Sequence, residues 1–273
     1  MKNSKNLKWC SKCLSMSTRP RITFDKNGVC NACLWAEEKK LIDWSEREKE
    51  LLSLLRENNN ESGFNCVVPV SGGKDGSYVT HQLKNKYEMN PLCVTITPHT
   101  ETDLGIDNLK NFVKNDVNHI SINIDYESIR ILNKNGFIEV GFPYYGWLVA
   151  ISTAPTVIAK NFGINLVFYG EDGEVEYGGV AKTKDQAIFD TEYQKKIYLE
   201  GGYEKVFEKS KIKNENLYFL KFPQNNSIKL THWSYFENWD PYRNYLIAKD
   251  KYGLKESEAT NQGTFTNFAQ NDQ

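Results

Sequence analysis

The stretch Val67-Val68-Pro69-Val70-Ser71-Gly72-Gly73-Lys74-Asp75-Gly76-Ser77 decides how the rest of the chain is read. An apolar run fit for a buried strand, Cys66 to Val70, delivers the backbone to paired glycines, and a helical stretch from Ser77 to Lys86 follows. Glycines let several N–H groups face one anion, and the positive end of the next helix meets the same point. The product is a phosphate cradle. Ser71 and Ser77 add hydroxyl donors, Lys74 a positive charge, and Asp75 a carboxylate suited to Mg2+. The spacing fits neither the Gly-x4-Gly-Lys-Ser/Thr loop nor the Gly-x-Gly-x-x-Gly loop.

Downstream, the alternation continues. Leu92 to Ile96 reads as a second strand, Asp103 to Lys114 as a helix, and His119 to Ile124 as a third strand. Tyr145 to Asn161 reads as a helix that Pro155 should kink, and Leu166 to Tyr169 as a fourth strand. Such alternation implies an α/β fold with a mostly parallel sheet covered on both faces and ligands at the carboxyl ends of its strands. Two segments fall at such ends. In Thr97-Pro98-His99-Thr100-Glu101-Thr102-Asp103-Leu104-Gly105, the hydroxyls of Thr97 and Thr102 either hold an adenosine or cap a helix. In Gly170 to Gly179 the carboxylates, Glu171 first, either bind Mg2+ and orient an amine or line a solvated loop. Beyond Glu174 no clear period emerges, and Trp233 to Tyr245 is aromatic-rich.

Upstream, Cys10-x2-Cys13 and Cys30-x2-Cys33 stand sixteen residues apart with Asp25-Lys26-Asn27-Gly28 as a turn between them. Two such pairs bite one tetrahedral metal, thiolates favour Zn2+, and a closed four-sulfur site is structural rather than catalytic. Cys66 and Cys93 fall in strands and read as small buried apolar groups. A helix from Trp44 to Arg56, opened by a Ser45-x-x-Glu48 capping box, and the polar Glu57 to Gly63 join this module to the rest. The expected divisions are 1–40 for the zinc module, 41–63 for the connection and 64–273 for the nucleotide domain.

In a chain of 273 residues, 34 Lys and Arg balance 35 Asp and Glu, leaving a net charge of -1. That balance carries no footprint for a nucleic-acid duplex. No apolar run follows the polar, basic start from Met1 to Lys8, so a cytoplasmic protein without a membrane span is expected, its cysteines reduced.

Together these segments resemble the N-acetyl sugar amidotransferases, PP-loop ATP pyrophosphatases of surface-polysaccharide pathways that include the pseudaminic acid and lipopolysaccharide O-antigen amidotransferases. The resemblance runs through the paired Cys-x2-Cys, Pro69 to Asp75, Thr102-Asp103-Leu104-Gly105 with Asn108-Leu109, Gly170-Glu171 with Glu176-Tyr177-Gly178, Trp239-Asp240-Pro241-Tyr242, and Gly263 to Ala269. One departure is Gly76, which stands where the Ser-Gly-Gly-x-Asp-Ser signature has its last serine, Ser77 coming one place later. The resemblance implies an adenine-nucleotide α-hydrolase-like fold. It also implies that ATP adenylylates the oxygen of an N-acetyl group on a sugar, nucleotide-linked or free, and that ammonia from a separate glutaminase subunit then displaces AMP. Similar proteins continue into a further helical segment, so a truncated 64–273 domain is expected.

Two alternatives stand beside this one. PP-loop tRNA thiolases also join such a loop to a zinc ribbon, but they need a sulfur-carrying cysteine or an iron–sulfur site and a basic RNA surface. A nonenzymatic ATP-binding partner of a glutaminase would bind ATP without releasing pyrophosphate. Tyr235, Trp239 and Tyr242 stack on a sugar in the enzyme reading, or serve a core or an oligomer contact otherwise.

Overall fold

Along β1 (Cys66–Pro69) the side chains alternate between two cores. Cys66 and Val68 face one and Val67 the other, and Leu166 and Phe168 against Val167 do the same in β4 (Leu166–Tyr169). A sheet with both faces buried needs helices on both sides. The computed structural model has that arrangement, and it describes residues 7–59, 63–180, 182–224, 227–261 and 265–269. Part of the expected linker and Gly263 and Thr264 of the resemblance lie outside the described residues.

The elements run α1 (Asn31–Glu38), α2 (Trp44–Glu57), β1, α3 (Lys74–His81), β2 (Pro91–Ile96), α4 (Asp103–Val113), β3 (Asn118–Ile122), α5 (Tyr126–Val140), α6 (Tyr145–Asn161), β4, α7 (Gly173–Glu176), β5 (Ile188–Phe189), α8 (Thr191–Tyr193), α9 (Tyr203–Ser210), β6 (Lys229–His232) and α10 (Pro241–Tyr252). The sheet order is β3-β2-β1-β4-β6-β5, parallel throughout except for the edge strand β5, which runs antiparallel to β6. This is the mostly parallel α/β sheet expected from the alternation. The chain winds outward from β1 through β2 to β3, then returns to lay β4 on the other side of β1. The switch point therefore lies between β1 and β4, and the crevice beyond their carboxyl ends is where ligands bind such sheets.

Several local expectations shift. Helix α3 starts at Lys74, three residues before Ser77, with extended Gly73 as its N-cap and Asp75 in its first turn, where a carboxylate complements the dipole. The capping box at Ser45 is not used. Asp43 is the cap of α2, accepting from the Ser45 N–H and hydroxyl, while Glu48 takes Lys86 and Tyr87. Pro155 sits inside α6 without interrupting the helical run, in a helix buried almost throughout its middle. Among the described residues no helix is long and apolar enough to cross a membrane.

Candidate functional site

Gly72 has φ +85, and a Cβ there would stand 2.5 Å from the Leu109 nitrogen and 2.6 Å from its Cα. Only glycine lets the turn lie this close to α4. Gly76 is pressed against β1, its would-be Cβ 3.0 Å from Val70 Cγ1 and 3.2 Å from the Pro69 carbonyl. Packing thus accounts for glycine where the signature has serine. Ser77 is 2% exposed and donates its hydroxyl to the Gly73 carbonyl at 2.8 Å, so its side chain ties the turn to the helix.

The Asp75 carboxylate is held from both sides. Lys74 Nζ reaches Oδ2 at 2.6 Å, and the Nδ2 of Asn244, a fully buried residue, donates to Oδ1 at 3.2 Å. Asn244 belongs to α10, which packs on α3, and sequence reasoning missed it because 169 residues separate it from Asp75. Across the switch point, Gly170 leaves room for Asp75, whose Cβ would lie 3.3 Å from a Cβ placed there. Next to it, burial and the nearby Asp75 carboxylate push the Glu171 carboxyl above its usual range, against the lowering effect of a 2.7 Å bond from the Tyr177 hydroxyl.

The other acids of this loop are committed to structure. Asp172, 4% exposed, accepts from Tyr198 at 2.8 Å, from Thr183 and from the backbone of Glu174 and Val175. Glu174 pairs with Arg21 through two 2.8 Å bonds, and Glu176 takes Trp35 Nε1 at 3.0 Å and Lys39 at 2.6 Å. Glu171 is left as the carboxylate beside Asp75.

Next to the turn, a cavity of about 270 Å³ opens over the ends of β1, β2 and β4, lined by Val70, Ser71, Ile96, Trp147, Ile151 and Tyr169. Its walls are apolar and aromatic, suited to the face of a planar base. Trp147 and Ile151 come from α6, whose nearly all-round burial disguised them as ordinary core. Thr97 follows Ile96 and donates its N–H to the Ile122 carbonyl at 2.9 Å. Thr102 caps α4, its hydroxyl oxygen accepting from Gly105 N–H at 3.0 Å.

The four cysteines Cys10, Cys13, Cys30 and Cys33 bring their sulfurs within 4.8 Å of one another, with Cys10–Cys33 at 3.9 Å and Cys13–Cys30 at 3.6 Å. Four thiolates about 2.3 Å from one tetrahedral ion stand about 3.8 Å apart, so the residues fit a single metal. A multi-iron cluster, whose thiolates each bind a different iron, needs them farther apart. Cys66 and Cys93 stay in the core, where burial pushes both thiols up, Cys93 to about 12.

The cysteine module grips the Glu171 loop. Besides the Arg21 and Trp35 contacts, Asn31 Nδ2 donates to the Gly179 carbonyl at 2.8 Å. The module's own apolar core is three buried residues with a few partners, so a metal on its four cysteines would be its main brace. Chelation, or Cys33→Ser, is therefore expected to raise amide hydrogen exchange in both the module and residues 171–180 by at least tenfold while sparing β1, β2 and β4. Unchanged exchange at 171–180 would disprove the grip.

No family model matches the chain. Over 123 residues it is 30% identical to an uncharacterized protein of Methanocaldococcus jannaschii, a span of 44% of this chain and 44% of that relative. Among solved structures, it superposes on U34-tRNA thiolase NcsA from Methanococcus maripaludis with its 4Fe-4S cluster at a TM-score of 0.38 and 16% identity, covering 95% of this chain and 76% of that one. It superposes on NMN synthetase from Francisella tularensis at a TM-score of 0.30 and 16% identity, covering 50% of this chain and 57% of that one.

Proposed function

We propose that the chain binds ATP in the β1–β4 crevice and uses it to replace the oxygen of an N-acetyl group on a sugar by nitrogen. The observation that carries this is the meeting, across the switch point, of the Ser71–Ser77 turn and the Glu171 carboxylate, with an apolar cavity beside them. In this reading the backbone of Gly72 and Gly73 and the Lys74 charge cradle the phosphates, and Trp147 and Tyr169 wall the base. Mg2+ on Asp75 would neutralise phosphate charge. Zn2+ on the four cysteines would keep the Glu171 loop in place.

The amide oxygen attacks the α-phosphorus, the bond to the β-phosphate oxygen breaks, and pyrophosphate leaves with the electron pair. Ammonia then adds to the amide carbon, and AMP departs carrying the oxygen. The attacking nitrogen must lose a proton, and in this reading Glu171, its carboxyl held above the usual range by burial and Asp75, accepts it. A glutaminase subunit in the cytoplasm would supply the ammonia.

What favours amidotransfer over tRNA thiolation is the state of the two remaining cysteines. Both are buried in strands with raised thiol pKa values, which suits neither a sulfur carrier nor a cluster ligand. The test is pyrophosphate release from ATP and Mg2+ with ammonium and a panel of N-acetylated sugars, each sugar followed by mass spectrometry. Release coupled to a product in which NH has replaced O is expected. ATP binding without release for any sugar would discard the reading in favour of a nonenzymatic partner.

A further inference from the structure

The hairpin from Leu7 to Ser17, which carries the first cysteine pair, has an apolar face left open among the described residues. Trp9 and Met16 are antiparallel bridge partners, so their side chains stand next to each other, with Leu7 at the open end and Leu14 at the tip. All four are exposed, Trp9 by 56% and Leu14 by 70%. The module's own core takes Cys10, the next residue along, and none of these side chains. The grip on the Glu171 loop uses Arg21, Asn31, Trp35 and Lys39, which lie outside the hairpin. Single exposed apolar residues are ordinary, but several together on so short a hairpin mark a surface that meets something. The charge around them says what. From Met1 to Phe24 the sequence holds Lys2, Lys5, Lys8, Lys12, Arg19 and Arg21 and no Asp or Glu, in a chain whose net charge is -1. Among the described residues Lys8 forms no ion pair, and Lys12 has a 3.5 Å pair with Glu37 at the surface. The Asp25–Gly28 turn, with exposed Lys26, is tied beside the hairpin by the Ser11 N–H on the Gly28 carbonyl at 3.0 Å.

We propose that this hairpin docks the chain on an anionic lipid bilayer, Trp9 and Leu14 entering the interface while the lysines meet lipid phosphates. An indole and aliphatic chains ringed by lysines match that interface, where Trp concentrates and the negative surface potential draws each nearby cation. A second copy fits less well, since a twofold contact lays the same cationic patch against itself. Single-stranded nucleic acid stacks on rings in series, and of these side chains only Trp9 has a ring. Such docking is independent of the reaction in the crevice and sets where in the cell that reaction runs.

The test is flotation of the full chain with vesicles of phosphatidylcholine, alone or with about a third phosphatidylglycerol. Wild type should bind the anionic vesicles at least roughly tenfold more tightly than the neutral ones, and raising salt from about 0.1 M to about 0.5 M should weaken that binding severalfold. Trp9→Ala with Leu14→Ser should lose roughly tenfold or more, the loss of the apolar anchor. Lys8→Gln with Lys12→Gln should lose roughly ten- to thirtyfold, the worth of two cations at a charged surface. Metal content and circular dichroism follow the fold, and Leu14→Ser alone, at the exposed tip, should lose severalfold where the Trp9 change loosens the module. A wild type that binds neither vesicle, or both alike, overturns the proposal, as does binding that these variants leave unchanged. So does a chain that ignores vesicles and binds a single-stranded oligonucleotide, or a dimer in light scattering that the Trp9 and Leu14 changes split.

Discussion

Asp75→Asn is expected to lower Mg2+- and ATP-dependent pyrophosphate release by roughly a hundred- to a thousandfold, the scale on which preorganised electrostatic groups act at a reacting phosphate. Asparagine keeps the shape and can still accept from Asn244, so the fold, followed by circular dichroism, is expected to survive. What disappears is the charge between Lys74 and the crevice. A second readout accompanies it. Asp75 is one of the causes holding the Glu171 carboxyl up, so with its charge gone Glu171 titrates at lower pH, a shift that carboxyl-carbon NMR can follow. Full turnover in Asp75→Asn would remove this residue from the reaction.

Gly72→Ala is expected to cost stability rather than chemistry alone. At φ +85 an alanine is strained by roughly 1–2 kcal/mol. Its methyl group would also meet the backbone of Leu109, which cannot rotate away, and such overpacking typically costs about 1–3 kcal/mol more. A total of about 2–5 kcal/mol is a large part of a margin of about 5–15 kcal/mol. The measurement is the urea midpoint of unfolding. An unchanged midpoint would mean that the turn can lift off α4 freely, and the close approach at Leu109 would have to be given up.

The strand, glycine turn and helix around Ser71 were legible because each obeys a short-range rule: apolar run, positive-φ glycine, helix start. The cysteine quartet was legible for the same reason, its geometry being written in its spacing. What escaped is non-local. Helix α5 went unread, and it carries Gly136 in its interior because Tyr145 of α6 packs against it, its Cβ 2.0 Å from where a Cβ would be. Strand β6, Lys229–His232, has polar ends and only four residues, and it becomes a strand because β4 and β5 flank it. Asp43 outcompeted Ser45 as the cap of α2 because the chain turns helical two residues earlier than the capping box assumes. Trp147, Tyr169 and Asn244 carry no local mark of a site, since the winding of the sheet alone brings them to the crevice.

The grip of the cysteine module on the Glu171 loop joins residues 153 positions apart, Arg21 to Glu174. On a ribosome adding about 5–20 residues per second, the module emerges on the order of ten seconds before the segment it grips has been made. Its four cysteines are all made by then, but Arg21, Trp35 and Lys39 must wait with their partners still untranslated. A nascent chain thus completes its Ser71–Ser77 turn well before its Glu171–Gly179 loop. The Arg21–Glu174 and Lys39–Glu176 ion pairs can close only after β4 has been made.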